Sequence, residues 1–288
     1  MRLVTIIGSC CRPENSAFHK CGRQALREEI NKGKTYVAQN GMFLLLALSL
    51  AVGLKHHYST AASEDLTWLL RPTAWLVERI SGIPFAQEAG AGFVNYARRI
   101  VIAPACAGAN FLIIAFCMAV FSGLHHMRHK GLKWLWLAGA LIGAYGLTVF
   151  VNAVRIIVSI YSYGEDINFG WLMAQRMHRL EGVVIYFFFL CLFYRIISAV
   201  LPLIERARSE AEPSADSLRW TLSGLVPLFW YGLITLAVPL LNSAPAREGG
   251  RFAEHGGTVI SGCLAVLVVL LLLQCGWKRM KDAQTKRP

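Results

Sequence analysis

A thiol, a guanidinium and an imidazole stand at three separated places in this chain: Cys106 in PACAGANF (104–111), Arg155 in VNAVRI (151–156) and His178 in MHRLEG (177–182). Together these types can perform acyl transfer. Cysteine attacks a carbonyl as its thiolate. The apolar run after Cys106 places it near a helix N-terminus, where the dipole favours an anion. An imidazolium stabilises that anion further and then gives its proton to a leaving amine. Arginine keeps its proton at any ordinary pH, so its role is to hold an oxyanion or a substrate carboxylate. Four neighbours fit supporting roles. Gly108, two residues after the cysteine, permits close backbone approach. Asn110 lies one helical turn past Cys106 and Asn152 one turn before Arg155, where an amide can orient its neighbour. Arg179 adjoins His178. Taken singly, each of the three has an ordinary reading: a small residue at a helix end, an arginine snorkelling to head groups, a solvated histidine. The case for a site rests on whether they share one side of a membrane.

The elements that would position them are membrane helices. Of 288 residues 55% are hydrophobic and 16% charged, with mean hydropathy +0.46. Soluble domains carry about 25% charged residues, and here the apolar residues fall in long runs. The pattern predicts an all-α fold, a polytopic membrane helical bundle of about six transmembrane helices. Residues 1–39 read as a polar, basic tail. A membrane core of four spans follows over 40–201, with spans at Asn40–Leu54, Ala107–Leu124, Trp134–Val154 and Glu181–Leu201. The first is short by the rule of roughly 20 residues and must borrow from its flanks. Between the first two spans, Leu66, Leu69, Leu70, Ala74, Leu76 and Val77 recur at helical spacing with Trp68 and Trp75, which predicts an amphipathic helix in the interface. Pro84, Gly90 and Gly92 break the pattern afterwards. A charged linker occupies 202–219. Two additional spans, Trp220–Leu241 and Thr258–Gly276, fill 220–277, and 278–288 is a basic tail.

The formal charge of +12 is dispersed over short loops rather than gathered in a patch, which argues for the lipid bilayer as partner and against nucleic acid. The eight cysteines show no CxxC pair and no zinc spacing, so neither a metal nor a cofactor is expected. With six spans, 19 of the 29 Lys and Arg residues lie on the flanks shared with the termini and 10 on the others. That bias places both termini in the cytoplasm. Cys106, Arg155 and His178 then all emerge at the extracytoplasmic boundary, whereas one miscounted span would split them. Cys263 lies deeper in the sixth span, so a disulfide with Cys106 stays open, but a free thiol is the favoured state.

The three motifs, their order and the spans between them resemble the exosortase/archaeosortase family of multi-pass membrane proteins, and the CAG-N-F form is most similar to the exosortase K branch. The resemblance covers residues 36 to 200. It implies a sortase-like membrane cysteine protease/transpeptidase in the cytoplasmic (inner) membrane of a bacterium, acting at the extracytoplasmic face. Its partners would be membrane-anchored substrate proteins with C-terminal sorting signals, and its acceptor a surface polysaccharide or lipid. By that resemblance Cys106 is the nucleophile, Arg155 binds the oxyanion or substrate, and His178 is general base and acid. The chain departs from the family at Ala107, where a serine is common, and the N-terminal tail and last two spans lie outside the motif-bearing core. Two other classes compete. A transporter or assembly factor for surface polysaccharide would line a path with charged residues inside its spans, yet Arg195 is among few such residues. A membrane acyltransferase using a head-group or thioester donor would use the same thiol.

Overall fold

The computed structural model describes residues 15–127, 129–162, 174–206, 224–241 and 244–285. Contacts divide the chain into two units, Met1–Leu46 and Ala47–Pro288. Helix α1 (Asn15–Thr60) starts within the stretch expected as a tail, and its apolar part runs from Val37 to Thr60. The first span therefore does extend past Asn40–Leu54 on both sides, as its short apolar run requires. Four more helices are long and apolar enough to cross a membrane, with spans at Pro104–His126, Lys130–Ser162, Arg179–Ile204 and Phe252–Trp277. A shorter apolar helix, Leu225–Leu241, stands where the fifth of six spans is expected. The chain is an all-α polytopic membrane bundle.

Helix α2 (Thr67–Ser81) follows the predicted amphipathic segment and buries Leu69, Leu70, Thr73, Ala74 and Val77. It packs against α4 (Lys130–Ser162), where Tyr145 donates a hydrogen bond to the Trp68 carbonyl at 2.8 Å and the two rings stack. Trp75 and Ile80 stay exposed on its other side. The next stretch holds the only strands among the described residues. Strands β1 (Ala86–Glu88), β2 (Gly92–Asn95) and β3 (Ile100–Ile102) form a small antiparallel sheet in chain order, with Phe93 opposite Ile102. Gly92 has φ +108, and a Cβ there would collide with the Ile102 carbonyl oxygen, so the glycine read as a breaker is what lets the strands close. Glu64 accepts the Gly90 N–H at 2.7 Å, which ties the β1–β2 turn back to the segment just before α2 and holds that carboxyl below its usual range. Strand β3 then delivers the chain to Cys106.

Helix α3 (Ala109–Gly123) is apolar on every side and forms the centre of the bundle. Two thirds of its apolar window is buried (67%), against 22–33% in the other four spans. It packs on α4, on α5 (Ala174–Arg206) and on α6 (Leu225–Gly232). At its end Gly123 lies directly under Trp136, whose ring nitrogen donates to the Ala119 carbonyl at 3.1 Å. A five-residue π turn, Leu233–Ala237, joins α6 to α7 (Val238–Leu241). Helix α8 (Ala244–Thr285) packs along α5, with Gly262 against Val183. On the outer surfaces Leu45, Val52, Leu135, Ile142, Leu272 and Leu273 are all exposed, which is where lipid replaces protein as the apolar neighbour.

Candidate active site

Cys106 closes a single 3-10 turn, Pro104–Cys106, rather than opening the helix itself. Proline sets the turn, and the N–H groups of Cys106 and Ala107 bond back to the carbonyls of Ala103 and Pro104 at 2.8 and 2.9 Å. Gly108 follows at φ +73 and redirects the chain into α3. Cys106 thus lies near the N-terminus of α3, as expected, but in the turn ahead of the helix rather than on its first residue. The left-handed glycine sets Cys106 three residues ahead of Ala109, and the helix dipole fades within about one turn. A fixed cation is better placed to favour the thiolate.

Arg155 supplies it. Its guanidinium comes within hydrogen-bonding and Coulombic reach of the Cys106 thiol, across 49 positions of sequence. The side chain is half-buried, and its Nε is fully buried without a hydrogen-bond partner among the described residues. Two features of α5 aim it. Its central carbon lies 5.4 Å from the centroid of the Tyr186 ring, a cation–π contact worth about 0.5–2 kcal/mol. Gly182 faces it closely enough that a Cβ there would meet Arg155 Cδ at 3.6 Å. The position of His178 is four residues earlier on the same helix, one turn from where α5 meets the arginine. The side chain of His178 lies outside the described residues.

Asn152 serves a different neighbour from the one expected. It is fully buried, and its amide nitrogen donates to the Cys106 carbonyl while its oxygen accepts from Tyr186 Oη at 2.8 Å. Gly108 explains why the bond runs to Cys106 and not to Arg155. A Cβ at Gly108 would lie 3.3 Å from Thr148, 3.4 Å from Asn152 and 3.5 Å from Tyr186 Oη, so the turn rests directly on α4 and α5. Tyr186 also stacks on Phe111 at 4.9 Å. One tyrosine thus holds the cysteine turn through Asn152 and the arginine through its ring. Asn110, the second amide, accepts from Lys55 of α1 at 2.8 Å. Arg179 forms an ion pair with Glu254 of α8 at 3.6 Å. Cys106 and Cys263 are both free thiols.

Tyr186 does not stand out in the sequence because it sits in an apolar run, VVIYFFF, where a tyrosine reads as core. Its signal is position: it stands eight residues after His178 and four after Gly182, close to one helical face. Thr148, Asn152 and Arg155 form a matching polar stripe on α4 at i, i+4 and i+7. Replacing Asn152 with alanine should strand the Cys106 carbonyl and the Tyr186 hydroxyl and cost about 2–3 kcal/mol of stability. Tyr186→Phe should cost about 1 kcal/mol and combine less than additively with it. Thermal unfolding of the two single variants and the double variant in detergent checks both values.

The helices, the thiol and the arginine beside it accord with a match found by comparison. A family model described as transmembrane exosortase matches residues 33–195. This chain belongs to the transmembrane exosortase family. The matched segment of this exosortase runs from Gly33 in α1 to Arg195 in α5 and contains all three motifs. No curated protein and no solved structure matches the chain.

Proposed function

We propose that this exosortase is a cysteine transpeptidase or protease that processes C-terminal sorting signals of secreted proteins at the extracytoplasmic face of a bacterial inner membrane. The observation that carries the reading is the Arg155 guanidinium within reach of the Cys106 thiol. The Cys106 thiolate attacks the carbonyl carbon of the scissile peptide, and Arg155 takes the oxyanion that forms. The C–N bond breaks, the amine leaves with a proton from His178, and the acyl group stays on sulfur as a thioester. An amine or water then attacks the thioester, gives its proton to His178, and releases the thiolate. The substrate is itself membrane-anchored, which brings its scissile bond to the boundary where Cys106 stands, with the surface polysaccharide or lipid as acceptor. Both termini lie in the cytoplasm.

Labelling of intact cells with a membrane-impermeant maleimide tests the placement and the partnership together. Cys106 should react from outside, and the rate should fall several-fold when Arg155 or His178 is replaced. Labelling only after the membrane is opened would place the thiol on the inner side and overturn the reading.

A further inference from the structure

The small sheet ahead of the cysteine turn ends on an open edge. Its strand order is β1–β2–β3, so β3 has a strand on one side only among the described residues. The middle strand is the anchored one. Gly92, Phe93 and Val94 of β2 are buried, and β2 packs on α2. Asn95 donates from its side-chain amide to the Pro84 carbonyl at 2.7 Å and accepts the Arg98 N–H at 2.8 Å. The sheet is thereby fixed on one face and at its second turn, and the edge is left free.

The register shows which groups of β3 face outward. Residues of an antiparallel pair alternate between exchanging both backbone bonds and turning them away. Ile102 lies opposite Phe93, and its carbonyl turns toward β2, close enough to exclude a Cβ at Gly92. Val101, opposite Val94, therefore turns its N–H and C=O to the free edge, and the residue is 49% exposed. Folded proteins blunt such edges with charge, proline or a covering segment. Strand β3 is Ile100, Val101 and Ile102, uncharged and without proline. The opposite edge, β1, carries Glu88. The direction of β3 gives its edge a use. Ala103 keeps extended backbone (φ −81, ψ 165), and the Pro104–Cys106 turn follows at once. From Val101 the chain reaches Cys106 in five residues, no more than about 17 Å.

We propose that β3 is a docking edge for the substrate: the extended segment just before the cleaved bond adds to the sheet as a fourth strand. It bonds to the Val101 N–H and C=O and leads its scissile carbonyl to Cys106. This occupant rests on the proposed acyl transfer, in which the residues after the cleaved bond enter a membrane helix and those before it are free to pair. Such a strand runs parallel to β3, since both lead toward Cys106. Three residues of ladder orient a peptide rather than hold it tightly, and backbone bonds accept many side-chain sequences.

A peptide electrophile tests this on the full-length protein in phosphatidylcholine vesicles. Acetyl-Val-Thr-Ala chloromethyl ketone is uncharged, and a thiolate displaces chloride from it to form an S–C bond. Its rate at Cys106, divided by that of iodoacetamide and compared with the same ratio at N-acetylcysteinamide, should be raised about fivefold or more. The same reagent with its backbone amides N-methylated cannot add to an edge and should fall to the reference ratio. Val101→Pro removes the outward N–H and no bond to β2, a change that edge strands tolerate. It should lower the ratio at least about threefold while leaving the iodoacetamide rate within about twofold, and Val101→Thr should preserve the ratio. A wild-type ratio equal to the reference, or equal for the two peptide reagents, overturns the docking edge with no variant needed. So does a ratio unchanged in Val101→Pro. Inertness of Cys106 to iodoacetamide as well would overturn the acyl-transfer reading and the docking edge together. The ratio itself needs no processing, so an edge without acyl transfer, or the reverse, is seen as such.

Discussion

Replacing Cys106 with alanine should abolish processing while the protein still accumulates in the membrane. The turn that carries this residue is built from backbone: the Cys106 N–H bonds to Ala103, and its carbonyl receives the Asn152 amide. Neither bond needs the sulfur. The thiol is only half-buried, so its loss leaves little cavity, and a stability cost of about 1 kcal/mol or less is expected. The chemical cost is of another order. No other described thiol is placed to substitute, because Cys117, Cys191 and Cys263 are buried in the bundle and Cys275 lies near the far end of α8. Loss of a nucleophile removes about three orders of magnitude or more in rate. Cys106→Ser should be nearly as inactive, since a hydroxyl beside Arg155 does not ionise as a thiol does. Membrane-fraction immunoblots of the protein and of a secreted protein bearing a C-terminal membrane helix read both halves of the result. Normal processing by either variant would overturn the assignment.

The sequence discloses the parts of the candidate site that contrast with their surroundings. Cys106, Arg155 and His178 stand at the ends of apolar runs, and a reactive type at such a boundary is conspicuous. The spans are legible for the same reason: about 20 apolar residues in a row have few structural solutions. Legibility fails where residues resemble their context. Tyr186 lies among phenylalanines, and Thr148 reads as a small core residue, although both face the cysteine turn. Lys55 stands at the end of a span among other polar residues, and its bond to Asn110 shows only in the folded chain. The sheet escapes because strands of three or four residues are too short for alternation to show, and the glycines that close it read as breakers.

Arg155→Lys should lower processing about 100-fold despite keeping the charge. The guanidinium is planar, and it is held by the Tyr186 ring on α5 while it reaches the Cys106 thiol. An ammonium presents a point charge with a shorter reach, without the fork that can donate to sulfur and to a developing oxyanion at once. Loss of one preorganised oxyanion donor costs about 2.7–4 kcal/mol in other enzymes. A lysine here would recover part of that by Coulomb attraction alone. Arg155→Met should lose more, about 1,000-fold, because the thiolate then has no cation from α4. The two variants separate geometry from charge, and the Gly182 surface of α5 can accommodate either stem, since it leaves ordinary van der Waals space beside Cδ. Processing and Cys106 alkylation measured in the same membranes distinguish the roles. If Arg155 acts chiefly on the oxyanion, Lys should slow processing far more than alkylation, which forms no oxyanion. If it acts chiefly on the thiolate, the two rates should fall together. Processing at the wild-type rate in Arg155→Met would remove the arginine from the machinery, and with it the contact on which the acyl-transfer reading stands.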